Sequence, residues 1–90
     1  KPGMILSNEP GYYRENEFGI RIENLVYIKK HKNKNLFKNL TLAPIDTDLI
    51  DYKMLSASEK KYLFNYHMNT YAKVSKFLNS NEKKWLLNLI

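Results

Sequence analysis

Two glutamates are the first candidates for chemistry in this sequence. Glu9 follows an apolar run at residues 4–8 and precedes Pro10-Gly11, which indicates a strand end against a turn. Glu23 lies inside an alternating, β-rich segment, two residues after Arg21. A carboxylate buried in such a strand is costly unless it is paired or bound to a cation. The residues alone leave Glu23 as either an ion-pair partner of Arg21 or a metal ligand, and they allow Glu9 to be an exposed turn residue.

The elements that would position these glutamates are three predicted strands. Residues 4–8 form a short apolar strand, residues 12–17 a polar loop, and residues 18–29 a long alternating strand. A third strand is predicted at residues 40–43, ending at Pro44. Since side chains alternate between the two faces of a strand, one face of the long strand carries Gly19, Arg21, Glu23, Leu25, Tyr27 and Lys29.

The second half of the chain is predicted to be helical. Ser56 and Glu59 have the spacing of a capping box, and Asn79 with Glu82 offers a second helix start. The first helix has one apolar stripe, formed by Leu63, Tyr66, Thr70, Val74 and Phe77. The second helix carries Trp85, Leu86 and Leu89 near the end of the chain. Strands followed by two helices predict the α+β class.

Composition limits the chain to one small globular domain of 90 residues. It contains no cysteine, which fits a reducing compartment, and no apolar run long enough to span a membrane. The net charge is +6, but the 13 lysines are spread along the chain and arginine is nearly absent, so we expect no nucleic-acid partner. The dense basic run at residues 29–34 is expected to be a solvated loop. No initiator methionine leads the chain, so its start resembles the interior of a longer protein.

Two motifs resemble the paired C-terminal motifs of aminopeptidase P, the Xaa-Pro aminopeptidase family. They are Ser7-Asn8-Glu9-Pro10-Gly11-Tyr12-Tyr13 and Phe18-Gly19-Ile20-Arg21-Ile22-Glu23-Asn24, with fourteen positions from one glutamate to the other. The resemblance continues through Leu40-Thr41-Leu42-Ala43-Pro44-Ile45-Asp46, Leu49-Ile50-Asp51, Tyr66-His67 and Trp85-Leu86. It implies the C-terminal part of a pita-bread metallopeptidase catalytic domain, with antiparallel strands followed by two helices.

The resemblance implies that Glu9 and Glu23 are two of five ligands to two divalent ions. Glu9 would bind one ion with an upstream His, Glu23 would bridge both, and two upstream Asp would complete the set. Oxygen ligands with one imidazole favour Mn²⁺, with Zn²⁺ or Co²⁺ as alternatives. The implied reaction removes the first residue from peptides with proline second, using a metal-bridging hydroxide.

Supporting roles are expected for neighbouring side chains, for Arg21 from its place on the strand face of Glu23 and for Tyr13 and Glu9 from the resemblance. Arg21 would pin a ligand carboxylate, Tyr13 would donate its hydroxyl to one, and Glu9 is the candidate proton acceptor. His31 is expected to be solvated in the basic run, and His67 to have a packing or polar-contact role rather than to bind metal.

The implied organisation divides the chain by role. Residues 1–55 would be catalytic-domain strands carrying the two glutamates, and residues 56–90 a helical tail packed on that domain. The remaining catalytic domain, a proline-containing peptide and a second subunit in a homodimer are the expected partners, in the cytoplasm and without a membrane. The alternatives are a non-catalytic interaction or dimerisation fragment of the same fold, or a related methionine aminopeptidase or prolidase.

Overall fold

The computed structural model describes residues 1–90, which form two compact units, Lys1–Thr41 and Leu42–Ile90. Strands occupy the first unit and helices the second, so the predicted α+β order is confirmed. The prediction that residues 1–55 and 56–90 differ in role concerns function, and it stays a prediction. No helix is long and apolar enough to cross a membrane.

The first unit contains five strands in two antiparallel sheets. The strands are β1 (Ile5–Asn8), β2 (Gly11–Arg14), β3 (Phe18–Arg21), β4 (Asn24–His31) and β5 (Lys34–Asn39). β4 lies between β1 and β5, whereas β2 and β3 form a separate hairpin. The prediction of one strand over residues 18–29 was therefore wrong, because Ile22 and Glu23 interrupt it and its two parts pair with different partners.

One alignment nevertheless runs through both strand pairs. Asn8 lies opposite Asn24 where β1 and β4 meet, and Gly11 lies opposite Arg21 at the start of the β2–β3 hairpin. Two residues on each side separate these pairs, so neither strand carries a bulge. Between them the Ile22 N–H donates a 3.1 Å hydrogen bond to the Pro10 carbonyl.

The basic run is a hairpin rather than a loop, which corrects the prediction. β4 continues to His31, which lies opposite Lys34 at the start of β5, so only Lys32 and Asn33 form the turn. Lys32 has φ +53°, the positive value that two-residue hairpin turns require at their first position. Residues 40–43 form no strand. Instead the Leu25 carbonyl accepts from the Leu40 N–H at 2.8 Å, and the Leu25 N–H donates to the Thr41 hydroxyl at 2.8 Å.

The second unit contains two capped helices, α1 (Ala57–Val74) and α2 (Ser80–Leu89). Both predicted caps are present: Ser56 and Glu59 form a capping box on α1, and Asn79 and Glu82 form one on α2. Short 3-10 turns lie at Thr47–Leu49 and Ser75–Phe77.

The core of the second unit is small. Its buried side chains come from α1 and α2, namely Leu63, Tyr66, His67, Thr70 and Leu86. The predicted stripe of α1 is thus buried through Thr70, but Phe77 lies beyond the helix in the second 3-10 turn and is 78% exposed. In the first unit no residue is buried. That unit therefore leaves its apolar side chains in contact with solvent.

Candidate metal-ligand face

Glu9 and Glu23 occupy matching positions between the two strand pairs, beside the hydrogen bond from the Ile22 N–H to the Pro10 carbonyl. The alignment that joins Asn8 to Asn24 and Gly11 to Arg21 places Glu9 opposite Glu23. In an antiparallel ladder, directly opposite residues have Cβ atoms about 4.5–5.5 Å apart on one face. Two carboxylates in this relation repel each other unless a cation lies between them.

Every candidate residue of the first unit lies on one face of this ladder. Side chains alternate along each strand, so Tyr13 shares the face of Glu9, and Arg21 shares the face of Glu23. The cross-strand partners on this face are Gly11 opposite Arg21, and Gly19 opposite Tyr13. The structure therefore brings together two carboxylates, a guanidinium and a phenol, with two glycines between them.

Arg21 connects the phenol to the carboxylates. Its Nε lies 3.9 Å from an Oε2 carboxylate oxygen of Glu23, with the two side chains 55% and 47% exposed. The pKa of Arg21 is raised, first by a hydrogen bond with the Tyr13 hydroxyl and further by the negative charges of Glu23 and Glu9. Arg21 therefore lies between the Tyr13 phenol and the Glu23 carboxylate. The ion-pair interpretation of Glu23 and the ligand interpretation are compatible, because 3.9 Å leaves carboxylate lone pairs available.

The opposite face of the hairpin is mainly apolar. Tyr12 and Phe18 pack with their ring centroids 6.1 Å apart, and Ile20 and Ile22 follow along β3 and beyond it. All four side chains are exposed. Arg14 also lies on this face, opposite Phe18, where it pairs with Glu17 at 3.0 Å. Apart from this charge near the tip, the hairpin can bury its apolar face while the other face meets a charged ligand.

The donor set fits part of a dinuclear metal site, but it does not complete one. Paired carboxylates are the hard oxygen donors that Mn²⁺ accepts. The chain brings no third His, Cys, Asp or Glu to them, and no group of three such residues occurs elsewhere in it. Any metal held by Glu9 and Glu23 therefore needs further ligands from outside these 90 residues.

The two histidines lie elsewhere in the chain. His31 is exposed at the end of β4. His67 is buried in α1, where its Nε2 accepts a 3.1 Å hydrogen bond from the Ile45 N–H. This matches the polar-contact role expected for His67. Sequence reasoning placed Gly19 on the face of Arg21 and Glu23 but missed Gly11, although its alternation with Tyr13 was a readable signal.

Comparison with known families accounts for nearly the whole chain. Residues 1–30 match metallopeptidase family M24, and residues 35–89 match the C-terminal region of peptidase M24. The two matched segments correspond to the strands with the carboxylate face and to the part of the chain that contains both helices.

Individual relatives give the same placement. An uncharacterized peptidase of Schizosaccharomyces pombe is 46% identical over 93% of this chain, and a probable Xaa-Pro aminopeptidase P of Coprinopsis cinerea is 42% identical over 96%. The crystal structure of X-prolyl aminopeptidase from Caenorhabditis elegans, described as a cytosolic enzyme with a di-nuclear active site, superposes with a TM-score of 0.82 at 35% identity over 94% of this chain. The chain spans only 15% of the length of each of these three relatives.

Proposed function

Since this chain belongs to metallopeptidase family M24, whose C-terminal region it matches, we propose that it is part of a metallo-aminopeptidase. The proposed enzyme removes the N-terminal residue from peptides that have proline in the second position. The observation that carries the proposal is the placement of Glu9 opposite Glu23 on a face that also holds Arg21 and Tyr13. The identity to a probable Xaa-Pro aminopeptidase P supports the choice of substrate.

We assign Glu9 and Glu23 as metal ligands that act together with two Asp and one His from the rest of the enzyme. Glu9 would hold one of two ions, and Glu23 would contribute to holding both. Mn²⁺ is the proposed metal, with Zn²⁺ or Co²⁺ as substitutes, since the donors are mainly carboxylate oxygens. When bound, the two ions lower the pKa of a water molecule and polarise the scissile carbonyl.

The side chains of this chain then have separate tasks. The Glu9 carboxylate accepts the proton that the attacking water releases. It can then pass this proton to the nitrogen of the departing amine. The Arg21 Nε lies 3.9 Å from a carboxylate oxygen of Glu23. This contact restrains the rotation of the Glu23 carboxylate, which is proposed to bind both ions. Tyr13 fixes Arg21 by the hydrogen bond between its hydroxyl and the guanidinium.

We further propose that the enzyme acts in the cytosol as a homodimer. The Caenorhabditis elegans relative is described as cytosolic, and this chain has no cysteine that would need an oxidising compartment. The helical segment at residues 56–90 is proposed to pack on the catalytic domain near the contact between subunits.

The metal assignment is tested by neutralising each glutamate in the complete enzyme. Glu23→Gln should nearly abolish activity and lower the bound metal, because it removes a charge shared by two cations. Glu9→Gln should also disable the enzyme, with a smaller loss of metal. Glu15→Gln, at the exposed tip of the β2–β3 hairpin, makes the same charge change away from the ladder and serves as control. Full activity in either ligand variant would remove the assignment.

The substrate assignment is tested with matched peptides. The enzyme should release the first residue from Xaa-Pro peptides and leave the corresponding Xaa-Ala peptides largely intact. Product formation with both series, at equal peptide concentration, is the measurement. Efficient cleavage of Met-Ala peptides without action on Xaa-Pro peptides would move the chain to the methionine aminopeptidase branch of the superfamily.

A further inference from the structure

The glycines of this chain are required for two different reasons. Gly3 has φ +86°, a conformation that other residues rarely adopt, and open space surrounds the position of its missing side chain. Gly11 and Gly19 do not have positive φ values. Their backbone conformations would suit alanine, so any need for glycine at these two positions comes from the atoms around them.

The ring of Tyr13 occupies the space above Gly19. A Cβ atom at position 19 would lie 2.9 Å from Cδ1 and 3.2 Å from Cε1 of Tyr13, its cross-strand partner. Both distances are well below van der Waals contact between carbon atoms. These atoms belong to the body of a rigid ring, so alanine at position 19 would displace the whole phenol, and the hydroxyl at its far end would move with it.

Gly11 leaves room at the other end of the same ring. A Cβ atom at position 11 would lie 2.9 Å from the Tyr13 hydroxyl oxygen and 2.9 Å from Cγ of Arg21. The carbonyl oxygen of Ile20 would be 3.1 Å away. The phenol and the arginine stem thus meet over Gly11, where any side chain would separate them.

We propose that Gly11 and Gly19 are positioning residues of the peptidase. Because they lack side chains, they leave space on the β2–β3 hairpin for the Tyr13 ring, and the ring in this position fixes Arg21 beside Glu23. This inference rests on the proposed function, because only there does the placement of Glu23 affect catalysis. The hairpin glycines act through Tyr13 and Arg21, whose atoms occupy the space that their side chains would fill.

The test is a double-mutant cycle in the complete enzyme with Gly19→Ala, Tyr13→Ala and both together. Gly19→Ala should lower kcat on an Xaa-Pro peptide roughly tenfold or more, as losses of groups that orient metal ligands commonly do. The same change in the Tyr13→Ala background should cost less than about twofold, because the displaced ring is already gone. Equal losses in both backgrounds, or no loss in either, would overturn the proposal.

Two further variants cover the case in which Tyr13→Ala does not fold. Tyr13→Phe keeps the ring but removes the hydroxyl, so adding Gly19→Ala to it should again change kcat little. Gly3→Ala is the matched control, since it strains the backbone without contacting Tyr13. A loss of kcat in Gly3→Ala as large as that in Gly19→Ala would show that glycine replacement acts only through stability.

A spectroscopic readout separates this proposal from the proposed function. The ¹⁹F resonance of 3-fluorotyrosine at position 13 should shift in Gly19→Ala and stay in place in Gly3→Ala. If the enzyme does not cleave Xaa-Pro peptides but shows this shift, the proposed function is contradicted. The claim that Gly19 leaves space for the Tyr13 ring would still stand. If the enzyme cleaves Xaa-Pro peptides but its fluorine resonance does not shift in Gly19→Ala, the positioning role of Gly19 is contradicted and the proposed function is not.

Discussion

At the scale of single residues, two neighbours on α1 hold the segment that precedes it. The Tyr66 hydroxyl donates a 2.5 Å hydrogen bond to the Ala43 carbonyl, and the Ile45 N–H donates to Nε2 of His67 at 3.1 Å. Because Nε2 accepts this bond, His67 must be neutral there, with its proton on Nδ1. Only 3% of His67 is exposed, and this burial lowers its pKa.

The buried histidine predicts a definite pH dependence. The pKa of His67 in the folded chain lies below the unfolded value of about 6.5. As the pH falls below 6.5, His67 therefore binds a proton in the unfolded state but remains neutral in the folded state. The free energy of unfolding should therefore be fully retained above pH 6.5 and decrease towards the folded pKa. One proton limits the slope to about 1.4 kcal/mol per pH unit.

Hydrogen exchange of the Ile45 amide measures this effect directly in the complete enzyme. After correction for intrinsic exchange, its protection should fall below pH 6.5, and His67→Gln should flatten the dependence. His31→Gln changes an exposed histidine and should leave it unchanged. Protection of Ile45 that is constant from pH 7.5 to 5 would contradict the role assigned to His67.

At the scale of elements, the helix starts are the most local features of the fold. Glu59 N–H donates to the Ser56 hydroxyl at 3.2 Å, and Ser56 N–H donates to a Glu59 carboxylate oxygen at 2.8 Å. Ser56→Ala should therefore lower the stability of α1 by about 1 kcal/mol, measured from amide exchange along the helix. Ser80→Ala, within the first turn of α2, should have a much smaller effect. Equal losses in the two variants would show that the hydroxyl of Ser56 does not cap.

These local signals explain which elements were predictable. Both capping boxes depend on residues three positions apart, so the helix starts could be read directly. The break at Ile22 and Glu23 could not, because the alternation continues through it and only the change of pairing partner reveals it. β5 was not predicted, because its lysines and asparagines are uncommon in strands. The strand forms through its pairing with β4.

The candidate site was predictable to a similar degree. The two glutamate motifs indicated Glu9 and Glu23, and alternation placed Arg21 on the face of Glu23. The cross-strand relation of Glu9 to Glu23 depends on a register that no local pattern specifies. The space over Gly11 and Gly19 required the actual position of the Tyr13 ring.

At the scale of the whole molecule, the apolar surface of the first unit lacks cover. It has no buried residue, and large apolar side chains on both faces of its strands are exposed, among them Ile5, Leu6, Leu25 and Phe37. Exposed apolar surface of this kind marks an interaction face or promotes aggregation. In the proposed enzyme, the remaining catalytic domain would cover these strands and supply the missing ligands.

These 90 residues alone should therefore be inactive and bind Mn²⁺ only weakly. Two carboxylates cannot fill the coordination sphere of even one such ion, and no third donor joins them. The isolated chain should also aggregate through its exposed strands, or bind the rest of its domain when that is added. Calorimetry with Mn²⁺ and a peptidase assay are the measurements. Tight binding of two ions per chain, or turnover, would show that the site is built differently.

The continuous strand alignment has a consequence for recognising this site in other proteins. The turn at residues 15–17 lies beyond the last pair of the hairpin, so extra residues inserted there would lengthen the tip without moving Glu9 away from Glu23. One residue added to a single strand between Glu9 and the turn would instead invert that strand and point its side chains to the apolar face. The number of residues in the turn can thus vary, whereas a residue gained or lost on one strand between its glutamate and the turn must be matched on the other strand to keep Glu9 opposite Glu23.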